Sequence, residues 1–75
     1  MIPAQLEERI KQLGPDTQVK VVDLTGTEDH YQVEVKSSVF ANLSMLERHK
    51  KVYDLVRAEV NSGEIHALSL STQTL

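Results

Sequence analysis

The side chains in this chain with the most chemical potential are its three histidines, His30, His49 and His66, set in a sequence without cysteine. Neutral imidazole is a common metal ligand, and it titrates near physiological pH. His30 closes the stretch Thr25-Gly26-Thr27-Glu28-Asp29 and opens an alternating segment. His66 follows Asn61-Ser62-Gly63-Glu64-Ile65 and opens another. Both fall at strand ends beside loops, where ring nitrogens stay reachable, and that shared placement makes the pair a candidate ligand set. A single loop histidine is more often a polar surface residue. Strict alternation also sets the two apart: His30 shares the outward parity of Gln32 and Glu34, and His66 the inward parity of Leu68 and Leu70. His49 lies on the apolar stripe of a helix and reads as a packed histidine with one ring nitrogen hydrogen-bonded.

Other chemistries find little support. Without cysteine there is no disulfide framework, no thiolate zinc site and no thiol nucleophile. Gly14, Gly26 and Gly63 form neither a P-loop nor a GxGxxG turn. No nucleophile elbow or oxyanion loop accompanies the serines. The expectation is a protein that is not an enzyme.

The histidines must be positioned by a small number of elements. Ile2, Leu6, Ile10 and Leu13 recur at helical spacing among charged residues, which predicts an amphipathic helix over 3–13, with Pro3 in its first turn and Gly14-Pro15 after it. "TQVKVVDL" and "HYQVEVKS" alternate as two antiparallel strands. The loop between them is longer than a hairpin turn requires, as functional loops often are. Ser44-Met45-Leu46-Glu47 has the form of a capping box. It opens one main helix carrying Met45, His49, Val52, Val56 and Val60 on a single face and running to Ser62-Gly63. "EIHALSLST" is the third strand. A strand, a crossover helix and a strand place the last two strands parallel, giving an α+β fold with a three-stranded mixed sheet and helices packed on one face.

At 75 residues, with 40% hydrophobic and 25% charged residues, the composition is that of one small globular domain spanning 1–75. The N-terminal stretch lacks the pattern of a signal peptide, and no run approaches the about 20 apolar residues of a membrane span. A cytoplasmic protein without membrane contact is expected. The net charge of −3 disfavours general nucleic-acid affinity. Residues 36–75, however, carry five bases against four acids, including a local cluster at Arg48, Lys50 and Lys51.

The stretch "SSVFANLSMLERHKKVYDLVRAEVNSGEIHALSLSTQT" resembles the signature region of the BolA family. That pattern has a Phe-x-Gly-x-Ser turn, then Arg-His, then Val-Tyr or Val-His, and a closing strand with His-Ala-Leu. The matching residues here are Phe40, Ser44, Arg48, His49, Val52, Tyr53, His66, Ala67 and Leu68. Asn42 stands where the family has glycine, a substitution that backbone sterics tolerate because asparagine also visits positive φ. The family's β-β loop ends in His or Cys, and that position is His30.

The resemblance implies a fold similar to class II KH domains, in the order α-β-β-α-(α)-β with an extra short helix before the main one. The GXXG clamp of RNA-binding KH domains is missing. It also implies a partner, a monothiol glutaredoxin, with which BolA-like proteins share a [2Fe-2S] cluster in iron-sulfur trafficking or iron sensing. His66 and His30 would be this chain's ligands, with the partner's cysteine and glutathione on the other side. Some BolA-like proteins are described as transcription regulators of cell shape and stress response. On that alternative, Arg48, Lys50, Lys51 and Arg57, with Lys36, would meet DNA phosphates through a helix-turn-helix-like element. A solvated face, with Glu47 paired to Lys51 and Asp54 to Lys50 or Arg57, is the plainer account of those charges. The oligomeric state, a homodimer included, stays open.

Overall fold

The computed structural model describes residues 2–75. The expected span of 1–75 begins at Met1, which lies outside the described residues. The chain runs α1 (Pro3–Lys11), β1 (Gln18–Asp23), β2 (His30–Lys36), a single 3-10 turn (Ser38–Phe40), α2 (Met45–Leu55), α3 (Arg57–Ser62) and β3 (Ala67–Gln73). The sheet order is β1-β2-β3, with β2 antiparallel to β1 and parallel to β3. This is the α+β architecture with a mixed sheet that the strand-helix-strand pattern requires.

Alternation decides which side of the sheet is covered. Tyr31, Val33 and Val35 of β2 are fully buried, whereas Gln32, Glu34 and Lys36 on the opposite parity are exposed. The buried face meets Leu6 and Ile10 of α1, Val52 of α2, Val56, Phe40 and Ile65. Burying each of these large apolar side chains stabilises the fold by roughly 1.5–3 kcal/mol. β2 is therefore the spine of the core. Among the described residues no helix is long and apolar enough to cross a membrane.

The N-terminal helix ends at Lys11, two residues before the expected Leu13, because Gln12 and Leu13 close it with bonds to the carbonyls of Arg9 and Ile10. The single main helix expected over residues 45–61 is divided. Val56 adopts φ −122°, ψ 17°, which ends α2, and α3 restarts from its carbonyl through the Val60 N–H. The break swings Val56 fully into the core, and the Leu55 carbonyl that it frees accepts from Arg9 Nη1 at 3.0 Å. No glycine or proline marks this position, so the break is imposed by tertiary contacts.

Candidate functional site

The site begins with the loop between β1 and β2. Asp23, the last residue of β1, accepts from the Gly26 N–H with one carboxylate oxygen and from the Glu28 N–H with the other, each at 3.0 Å. Gly26 and Glu28 both have positive φ, +76° and +62°, and these turns wrap the loop around the Asp23 carboxylate. The buried Tyr31 anchors it from below by donating its hydroxyl to the Glu28 carbonyl at 2.8 Å. Burial, with the neighbouring carboxylates, pushes that phenol up. The loop is thus long for a structural reason: it delivers Asp29 to the mouth of the sheet.

At that mouth Asp29 binds both histidines. His30 Nδ1 lies 2.8 Å from Asp29 Oδ1, and His66 Nδ1 lies 2.8 Å from Asp29 Oδ2. The imidazole rings are 5.8 Å apart between centroids and inclined by 32°. Taking one donor atom from each of Asp29, His30 and His66, all three lie within 4.8 Å of one another. The His66 side chain is 60% exposed and that of His30 is 40% exposed, so a partner can reach both rings.

Strict alternation set these histidines on opposite faces, and the structure brings them together. The reason is that the β2–β3 ladder starts with His30 opposite Ala67, leaving His66 one residue outside it. The Asp29 carbonyl accepts from both the His66 N–H, at 2.8 Å, and the Ala67 N–H, at 3.1 Å. This doubled bond frees residue 66 from the pleat that fixes Leu68 and Leu70 inward. The same aspartate therefore holds His66 by main chain and side chain. Asp29 is the site residue that sequence reasoning missed; a carboxylate adjacent to a candidate ligand was the available signal.

The electrostatics follow from the contacts. Hydrogen bonds from the Thr27 hydroxyl first, then from His30 and His66, hold the Asp29 carboxyl well below the usual carboxylate range. Asp29 is consequently an ionised acceptor between two imidazoles. The donor set suits a metal centre only in part: two imidazoles can occupy two positions on one iron, as in Rieske centres, but this chain has no thiolate for the rest.

The other expected residues divide into structural and exposed groups. Phe40 is fully buried, and Asn42 takes φ +65°, the left-handed conformation its family counterpart glycine would adopt. Ser44 Oγ accepts from the Glu47 N–H at 3.1 Å and donates to Glu47 Oε1 at 3.0 Å, so the serine half of the expected capping box forms, while the Glu47 carboxylate meets the Ser44 hydroxyl instead of the Ser44 backbone N–H or Lys51. Arg48 Nε closes the same turn by donating to the Leu43 carbonyl at 3.1 Å. Val52 is core, and the Tyr53 hydroxyl donates to the Leu68 carbonyl at 3.0 Å, tying α2 to β3. His49 is half-buried as expected, but its Nε2 is enclosed without a hydrogen-bond partner and the expected bond of a ring nitrogen is not formed among the described residues. Arg57 pairs with Asp54. Lys50 and Lys51 are exposed on α2, whereas Lys36 lies on the open face of the sheet, away from the helices, opposite Gln18 of β1. The five bases do not form one patch.

Comparison with known proteins bears on the family and the fold. A family model described as BolA-like protein matches residues 6–75. An uncharacterized protein of Rickettsia prowazekii, RP812, is 32% identical over 68 residues, covering 91% of this chain and 87% of that protein. The DNA-binding transcriptional regulator BolA of Escherichia coli is 30% identical over 82 residues, covering all of this chain and 77% of that protein. Some longer eukaryotic relatives are matched over less than half of their length. The solved structure of BolA1 from Arabidopsis thaliana superposes with a TM-score of 0.81 at 28% identity, covering 95% of this chain and 88% of that one. With the signature turn and the closing strand in place, the chain belongs to the BolA-like protein family.

Proposed function

We propose that this chain is a non-enzymatic partner of a monothiol glutaredoxin, presenting His66 and His30 to a [2Fe-2S] cluster carried with glutathione, in iron-sulfur trafficking or iron sensing. The observation that carries this reading is the joint hold of one carboxylate on two exposed imidazoles, side by side at the edge of a sheet in a protein with no thiol. Such a chain offers two ligand positions and depends on a partner for the others. When present, the cluster supplies iron as the electrophile that the imidazole lone pairs meet. The chain's own part is to hold both rings in register.

The test is visible absorption and circular dichroism of an anaerobic titration into glutathione-loaded [2Fe-2S] glutaredoxin, with His66→Ala and His30→Ala alongside. A new spectrum with the wild type, lost in the His66 variant and weakened in the His30 variant, is expected. An unchanged glutaredoxin spectrum on adding the wild type rejects the reading.

A second reading, binding to DNA in the cytoplasm as a regulator, is favoured by the DNA-binding role of the Escherichia coli relative and by the exposed Lys50 and Lys51. It requires an affinity that falls steeply with salt and differs between sequences. Lys50→Glu with Lys51→Glu abolishes such binding, while Lys36→Glu, on the other face, leaves it unchanged.

A further inference from the structure

An aspartate that binds two histidines through its two oxygens does more than join them. An ionised carboxylate only accepts hydrogen bonds. An Nδ1 atom 2.8 Å from each of its oxygens must therefore carry a proton. Once Nδ1 holds the proton of a neutral imidazole, the lone pair is at Nε2. We infer that Asp29 is a positioning residue that locks His30 and His66 together in the Nδ1–H tautomer and so presents both Nε2 atoms as ligands.

Three further observations fit this role. Thr27 donates to Asp29 Oδ1, and the Asp23-centred loop holds the aspartate's backbone, so the carboxylate is itself oriented. The Asp29 side chain is only 24% exposed, which shields its bonds from competing water, while both rings remain open. Even a Cβ at Gly63 would meet His66 Nε2 only in ordinary van der Waals contact, at 3.9 Å, so the backbone at 63 does not crowd that nitrogen. A carboxylate on the far nitrogen of a ligating histidine fixes the tautomer and raises the basicity of the donor, and removing such a partner typically costs about 10–100-fold in metal affinity. Here one carboxylate does this for two histidines, so both ligands depend on a single side chain.

This inference rests on the proposed cluster role for its purpose, but the tautomers can be measured without any partner. The experiment is a long-range proton–nitrogen correlation spectrum of the nitrogen-15-labelled chain at a pH where imidazoles are neutral, for wild type, Asp29→Asn and Asp29→Ala. Both histidines of the wild type are expected as Nδ1–H. Asparagine offers one acceptor oxygen and one donor amide. Asp29→Asn therefore splits the pair, leaving at most one histidine as Nδ1–H, and Asp29→Ala releases both. A merely structural aspartate would move neither signature, and far-ultraviolet circular dichroism checks that each variant is folded.

In the second arm the same variants are titrated into loaded glutaredoxin, and Asp29→Ala is expected to weaken formation of the new spectrum by about 10–100-fold. Wild-type histidines in the Nε2–H form, or tautomers unchanged in Asp29→Ala, overturn the inference. So does a glutaredoxin spectrum that Asp29→Ala forms as readily as the wild type. If instead the tautomers respond as expected and the wild type gives no new spectrum, the cluster role fails and the tautomer lock stands.

Discussion

Arg9 in the first helix donates to the carbonyl of Leu55 at 3.0 Å, 46 residues further along the chain, where α2 breaks. The same Nη1 atom lies 2.7 Å from Glu59 Oε1 in α3. One guanidinium thus satisfies the carbonyl freed by the break and fixes the direction of the next helix. Arg9→Ala leaves both acceptors without it and is expected to lower stability by about 1–3 kcal/mol, read as a lower urea midpoint with an unchanged slope. A midpoint equal to wild type would mean that the break is held by Val56 alone.

Acid should loosen the same junction. The Glu59 carboxyl is held below its ordinary value of 4.5, first by its own backbone N–H and then by Arg9. A carboxyl with a depressed folded-state value adds stability that is complete above the ordinary glutamate range and is lost as pH falls through the lower folded-state value. Glu59→Gln should therefore flatten the acid limb of the unfolding free energy against pH, with little change in slope above pH 6. Parallel acid limbs for the two proteins would refute this.

Asn42 gives a conformational test. Its φ of +65° lies where an ordinary L-residue is strained by about 1–2 kcal/mol. Asn42→Ala is expected to lose about 1 kcal/mol, while Asn42→Gly keeps or slightly raises the thermal midpoint. Equal midpoints for the two variants would show that the turn adapts.

Ser44→Ala removes the hydroxyl that accepts from the Glu47 N–H and donates to its carboxylate, and should cost about 1 kcal/mol in chemical denaturation. The histidine pair lies at the opposite end of β3 from this cap, so its nitrogen chemical shifts should not change. A shift there would reveal coupling along α2 that the contacts do not suggest.

Most of the architecture was legible because two periodicities carry it. Leu6 and Ile10 on a helix and Tyr31, Val33 and Val35 on a strand are periodic in sequence and buried in fact. The division of the main helix was not legible, since Val52, Val56 and Val60 keep helical spacing straight through it, and the group that satisfies the freed Leu55 carbonyl, Arg9, is far away in sequence. His30 and His66 were legible as candidates from their types and their places at strand ends. Their approach was not, because alternation holds only inside a ladder and His66 stands just outside it. Asp29 went unnoticed for a related reason: its value comes from reaching a residue 37 positions away.

That separation has a consequence for how the site comes into being. His66 meets Asp29 only when β3 docks beside β2, a parallel pairing that must close a long loop across the intervening helices and is the slow kind of contact to form. An unfinished or locally opened chain holds His30 beside Asp29 and lacks the second imidazole. On the proposed role, ligation by both histidines is thereby reserved for molecules whose last strand has docked beside β2.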